Sequence, residues 1–128
     1  MISRTWWAPL LLAPLMTARL RAQNICTGIV APGLVVEVRD AATGQGVAGQ
    51  VSVTARDSGY VDSLRAPNFS APRDPSFPFQ GAYERAGTYE VSIQSPGYVA
   101  WRRDGVRIRK NKCHVITVHL VARLTRSK

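Results

Sequence analysis

The sequence predicts an all-β fold of two packed sheets, and three observations carry that prediction. Apolar side chains recur at every second residue in short runs, the period that turns one face of a strand to a core and the other to water. Eight prolines and ten glycines are spread among those runs, where they supply turns. Of the 128 residues, about 100 remain once the leader-like start is set aside, enough for one sandwich-sized core. Nothing in the chain reads as a bundle of helices.

Residues 1–22 read as a signal peptide, leaving 23–128 as one domain. Arg4 makes the first five residues positive, and Trp6 to Met16 is an uncharged, mostly apolar stretch interrupted by Pro9 and Pro14. That stretch is too short to span a bilayer core, at roughly 1.5 Å per helical residue, but long enough for the apolar region of an export signal. Cleavage after Ala18 or Ala22 fits, although neither forms a clean Ala-x-Ala site and Arg19 and Arg21 weaken the signal. The plainer alternative is an irregular N-terminal tail or a misassigned start codon.

Cysteine use points the same way. Cys26 and Cys113 pair without a remainder, and a bridge between them would tie the first residues of the domain to the start of the last strand. Such a bridge requires an oxidising compartment, so the expected location is exported: periplasmic, cell-envelope or secreted. Two alternatives stay open, a lipid on Cys26 and a pair of buried thiols. Against the first, Gln23-Asn24-Ile25 lacks the leucine and small residues expected before a lipidated cysteine.

The domain opens with a strand in which Leu34, Val36 and Val38 alternate with Val35, Glu37 and Arg39. Asp40, Thr43, Gly44 and Gly46 then give turn chemistry. Val51, Val53 and Ala55 alternate with Ser52, Thr54 and Arg56 in a second strand, and a hairpin of the two is the simplest arrangement.

The run Val38-Arg39-Asp40-Ala41-Ala42-Thr43-Gly44-Gln45-Gly46-Val47-Ala48-Gly49-Gln50-Val51-Ser52-Val53 resembles the opening of carboxypeptidase regulatory-like domains. Gly87-Thr88-Tyr89-Glu90-Val91-Ser92-Ile93 with Pro96-Gly97-Tyr98 resembles their later half. The resemblance implies a seven-stranded prealbumin-like, Greek-key β-sandwich that serves as an accessory or interaction module of exported proteins. Gly46 stands where that family usually has a proline.

Residues 57–80 differ in kind. Asp57-Ser58-Gly59-Tyr60 turns the chain, and Val61 to Leu64 forms a brief edge strand. Pro67, Pro72, Pro75 and Pro78 then withhold backbone donors, so this stretch cannot be a central strand and reads as a long loop. Its Phe69, Phe77 and Phe79, with Tyr60, are candidate partner-binding residues, because aromatic rings stack on sugars or fill a partner's pocket. The plainer reading has Phe77 and Phe79 folding back to cap one end of the sandwich. Asn68-Phe69-Ser70 is an N-glycosylation sequon, meaningful in a eukaryotic source.

The best-defined strand is next: Tyr89, Val91 and Ile93 alternate with Glu90, Ser92 and Gln94, between Gly87 and the Pro96-Gly97 turn. Tyr98 to Arg102 and Val106 to Lys110 flank Asp104-Gly105, a pair that reads as a hairpin turn. The last strand is expected over Cys113 to Leu124, with Ile116, Val118 and Leu120 in one phase and a bulge near the bridge. Trp101 reads as a core or sheet-edge ring.

No catalytic constellation stands out. His114 and His119 are five apart on one expected strand and point to opposite faces, so they make no metal pair. The cysteines form no Cys-x-x-Cys motif, and the glycines form no phosphate-cradling loop. Prealbumin-like folds include the hydroxyisourate hydrolases, with an early histidine and a terminal Tyr-Arg-Gly-Ser. This chain ends Arg123-Leu124-Thr125-Arg126-Ser127-Lys128 and has no histidine before His114, so that activity does not carry over. No cofactor and no enzymatic activity are expected.

The formal charge is +9, and removing Arg4, Arg19 and Arg21 with the leader leaves +6. Arg102, Arg103, Arg107, Arg109, Lys110 and Lys112 concentrate the excess and are the candidate anion-binding residues. Two functional expectations follow. One is a binding module for a glycan or a protein through the aromatic loop. The other is a basic surface that attaches to an anionic polymer or membrane surface, without specific nucleic-acid recognition, or a purely structural envelope component.

Overall fold

The computed structural model describes residues 26–67 and 72–128, with Pro9 and Pro14 alone from the segment before them. The expected signal segment, those two prolines apart, lies outside the described residues, as do Phe69 and its sequon. Among the described residues there are seven strands and no helix: β1 (Leu34–Asp40), β2 (Ser52–Asp57), β3 (Tyr60–Leu64), β4 (Phe79–Gly81), β5 (Gly87–Gln94), β6 (Trp101–Ile108) and β7 (Val118–Leu124).

The strands make two sheets, ordered β4-β1-β7 and β3-β2-β5-β6. β1 runs parallel to β7, with Leu34 opposite Val118 and Asp40 opposite Leu124. It is antiparallel to β4, and the larger sheet is antiparallel throughout. Period-two alternation explains which faces meet. Leu34, Val36 and Val38 of β1 and Leu120, Ala122 and Leu124 of β7 turn inward toward Val53, Ala55, Tyr89, Val91 and Ile93 of the larger sheet, in one core. Burying each large aliphatic or aromatic side chain stabilises the fold by about 1.5–3 kcal/mol. β5, flanked by β2 and β6, holds Tyr89, Val91 and Ile93 at 1% exposure or less.

Three sequence expectations are corrected. β1 and β2 form no hairpin, because they belong to different sheets. The connecting segment first pairs back on β1, where the Val47 N–H donates to the Val38 carbonyl at 3.0 Å, and then crosses over. Asp104-Gly105 is not a turn either. β6 runs straight through it, and the register against β5 shifts between Tyr89 and Val91. Gly105, at φ 68°, supplies the left-handed residue that a bulge needs as much as a tight turn does. Finally, β7 begins at Val118. Cys113 sits in a loop closed by a Lys110–Val115 bridge, in which the Asn111 side-chain carbonyl accepts from the N–H groups of Cys113 and His114 at 2.9 and 2.8 Å. Ile116 consequently faces water, and Val115 is the buried residue there.

β3 is the expected edge strand, while β4 was missed within the proline-rich segment. It is three residues long and follows directly on Pro78, too short to show a period. The Cys26–Cys113 disulfide is formed, with a Cα–Cα distance of 5.2 Å.

The register defines two ends. At one, β1, β7 and β5 finish, β2 and β6 begin, and the 65–78 segment arrives. At the other lie the disulfide, the β2–β3 turn, the β4–β5 connection and the 109–117 loop.

Candidate functional site

The end opposite the disulfide carries a cleft of about 760 Å³. The β1–β2 connection brings Gln50 to it, β2 brings Ser52, the β3–β4 segment brings Arg73, and β5 with its following loop brings Gln94, Ser95 and Tyr98. Ser52 and Gln94 are direct cross-strand partners. Their side chains therefore emerge side by side from the last rung of the β2–β5 ladder.

Several contacts fix the walls. The Ser95 hydroxyl donates to the Gln50 carbonyl at 2.8 Å, which locks the β5–β6 loop to the β1–β2 connection. The Arg73 guanidinium donates to the carbonyls of Val47 and Gly49 at 2.7 and 3.2 Å and lies 5.0 Å from the centre of the Phe79 ring. A single arginine thus fastens the proline-rich segment to the β1–β2 connection. Gly46 makes that approach possible, since a Cβ there would collide with the Pro75 carbonyl. The glycine at this position has a steric reason.

Behind the cleft, buried Asp40 accepts from four donors. Oδ1 takes the N–H groups of Ala42 and Thr43 at 2.8 and 3.0 Å, and Oδ2 takes the Tyr98 hydroxyl at 2.8 Å and Arg126 Nε at 2.9 Å. Arg126, then Tyr98 and the two backbone donors, hold this carboxyl well below the usual carboxylate range. The same bond pushes the Tyr98 phenol up. Tyr98 is therefore a fixed neutral ring between the cleft and a second hollow of about 420 Å³ that Asp40 and Arg126 line.

The sequence-predicted aromatic residues are not gathered at one place. Tyr60 belongs to the disulfide end, its ring 3.9 Å under the Arg85 guanidinium and edge-on to Tyr89. Burial pushes its phenol up. Phe79 is in the core. Phe77 is exposed and lines a small hollow with Glu37, Arg39 and Ser76 near the cleft end. Phe69 lies outside the described residues.

The six candidate anion-binding residues divide. Arg102 is paired with Glu90 at 3.0 Å and Asp104 at 3.1 Å, and Arg103 lies 5.1 Å over the Trp101 ring. Arg107, Arg109 and Lys110 surround a hollow of about 580 Å³ at the disulfide end, beside Gly87 and Thr88. Lys112 is exposed in the adjoining loop.

His114 sits in that loop, away from His119 on the outer face of β7. Its Nδ1 lies 2.5 Å from Glu84 Oε1, and its Nε2 lies 3.0 Å from the Thr27 hydroxyl. Glu84 also accepts the N–H groups of Ala31 at 2.8 Å and Val115 at 3.2 Å. Ala31 first, with His114 next, lowers the Glu84 carboxyl. Among the described residues no group of three His, Cys, Asp or Glu could hold a metal ion.

Gln50, Ser52, Arg73 and Gln94 were not singled out from sequence. Arg73 alone left a signal, as the one cation in the proline-rich run. The amides left none, because their meeting depends on the β2–β5 register. The chain matches no family model and no curated protein.

Proposed function

We propose that this protein is an exported, non-catalytic β-sandwich module of the prealbumin-like, carboxypeptidase regulatory-like kind, and that it binds carbohydrate in the cleft between Gln50, Ser52, Gln94 and Tyr98. Seven strands in sheets of three and four support the architecture, and a formed disulfide supports an oxidising compartment. One observation carries the ligand class. Two side-chain amides, a hydroxyl, a guanidinium and a phenol ring converge on one cleft. Amides offer paired donors and acceptors that match neighbouring sugar hydroxyls, the ring offers a face for the sugar's C–H groups, and Arg73 suits an acidic substituent. None of these groups is a base or nucleophile at neutral pH, which fits binding rather than turnover.

A glycan array with the oxidised protein, followed by calorimetry on the hits, tests the reading. Gln50→Ala with Gln94→Ala is expected to weaken a hit by about tenfold, at about 0.5–1.5 kcal/mol per lost hydrogen bond, with the melting temperature unchanged. An array without hits, or binding indifferent to both substitutions, overturns it. A protein partner whose capture depends on Phe77 and not on Gln94 would also overturn it, by moving the site to the loop.

A further inference from the structure

The disulfide end combines two features on one surface. Among the described residues, no carboxylate lies within ion-pair distance of Arg107, Arg109, Lys110 or Lys112, although Arg85 and Arg126 each have one and Arg102 has two. Of the eight exposed large apolar side chains among the described residues, four are here as well: Ile29 at 73%, Val30 at 61%, Ile116 at 53% and Tyr83 at 49% exposure. Scattered exposed apolar residues need no explanation, but a set gathered on one face marks an interaction surface.

Hydrogen bonds show that these residues belong to one surface. The Ile116 N–H donates to the Arg109 carbonyl at 2.7 Å, so the apolar side chain and the cations share one loop. The Thr117 hydroxyl donates to the Pro32 carbonyl at 2.7 Å, and Thr27 touches His114, which carries the Ile29–Val30 segment alongside. Reciprocal bonds between Ala31 and Glu84, with the Gly33 N–H on the Ala82 carbonyl, run antiparallel and set Tyr83 opposite Pro32, in the same segment as Ile29 and Val30. The disulfide and the Glu84–His114 contact hold the surface rigid.

We propose that the disulfide end docks on an anionic lipid bilayer, with Arg107, Arg109, Lys110 and Lys112 at the headgroups and Ile29, Val30, Ile116 and Tyr83 entering the interface. This goes beyond the carbohydrate reading and does not rest on it, since the two surfaces are at opposite ends. A soluble anionic polymer would use the cations but has nothing to offer three aliphatic side chains. A bilayer interface takes both.

The test is co-sedimentation of the full chain with vesicles of phosphatidylcholine alone and of phosphatidylcholine with about one-third phosphatidylserine. Because Arg4, Arg19 and Arg21 flank the Trp6 to Met16 stretch and would themselves favour anionic vesicles, the readout is the loss of anionic-vesicle binding that each substitution in the domain causes. Preferential binding to the anionic vesicles is expected, weakening as salt is raised through about 0.1 M. Arg107→Ser with Arg109→Ser should reduce it by about 25-fold, roughly fivefold per cation. Val30→Ser with Ile116→Ser should weaken it further without lowering the melting temperature. Arg123→Ser with Lys128→Ser removes the same charge from the other end and should change binding less than about twofold. Gln50→Ala with Gln94→Ala should leave vesicle binding intact, which separates this test from that of the carbohydrate site. Equal binding to both vesicles overturns the proposal, as does an equal loss in the Arg123/Lys128 control. So does binding to soluble polyphosphate as tight as to vesicles and indifferent to Val30→Ser with Ile116→Ser.

Discussion

The Tyr98 hydroxyl donates to Oδ2 of Asp40 at 2.8 Å and so joins the loop after β5 in one sheet to the last residue of β1 in the other. Arg126 completes the arrangement from the C-terminal segment. Three parts of the chain distant in sequence thus depend on one ionised carboxylate with 3% exposure.

Acid should therefore loosen the cleft end. The folded state lowers the Asp40 pKa, so the stability tied to its charge is complete above about pH 5 and is lost as the pH falls below the unfolded value of about 3.9. Asp40→Asn is expected to lower the melting temperature by about 10 °C at pH 7, since several hydrogen bonds to a buried charge are weakened together. Thermal melts of both proteins from pH 7 to pH 3 check this. The gap should narrow toward the acid end, because the unfolded wild-type chain takes up a proton there while the folded carboxyl is still held ionised. A gap that stays constant would remove the carboxylate from the account.

At the other end the covalent bridge and the Glu84 carboxylate act on the same segment. Cys26→Ser with Cys113→Ser releases an 87-residue separation and should cost about 4–5 kcal/mol by the chain-entropy argument, read from the urea midpoint. Glu84→Ala leaves the bridge in place but removes the acceptor for the Ala31 and Val115 N–H groups. Hydrogen exchange at those two amides should accelerate by about tenfold while β5 stays protected. Uniform acceleration across the domain would instead mean that Glu84 supports the whole fold.

Gly46 tests the coupling between the β1–β2 connection and the proline-rich segment. Gly46→Ala places a methyl against the Pro75 carbonyl and should destabilise by about 1–3 kcal/mol, the usual range for overpacking. Gly46→Pro should cost more, because it also disturbs the local pairing of this residue with Arg39. Because Arg73 travels with Pro75, both changes should weaken ligand binding in the cleft, measured by calorimetry beside the melt. Stability lost with the cleft intact would separate the two segments.

What the sequence made legible follows from how local each signal is. The alternation of Tyr89, Val91 and Ile93 needs only neighbouring residues, and the structure buries all three. The hairpin expected of β1 and β2 failed because a turn sequence does not say which sheet the next strand joins. Val47 pairs with Val38 and then the chain leaves. The cysteine count pointed to the bridge, since two thiols pair without a remainder, and the structure forms it in place of a lipid or free thiols. The cleft was not legible, because Gln50, Ser52 and Gln94 meet through register and Arg73 arrives from a segment without period. The division of the basic run was hidden for the same reason: whether Arg102 finds Glu90 depends on a bulge.

That bulge gives the sharpest local test. Gly105 has φ 68°, and a Cβ there would meet nothing within 4 Å, so any cost of substitution is conformational and not steric. Gly105→Ala is expected to destabilise by about 1 kcal/mol, and Gly105→Asn by less, since asparagine tolerates the left-handed region. Gly105→Val should be the worst of the three, because a β-branched residue is least at ease at positive φ. If β6 were instead a hairpin turned at Asp104-Gly105, Asn would also be accepted, so the melting series alone does not separate the two. Nuclear Overhauser contacts do: the observed register puts the amides of Tyr89 and Val106 opposite one another, and those of Val91 and Arg103. A hairpin would pair residues on either side of Gly105 with each other and leave β5 without its neighbour.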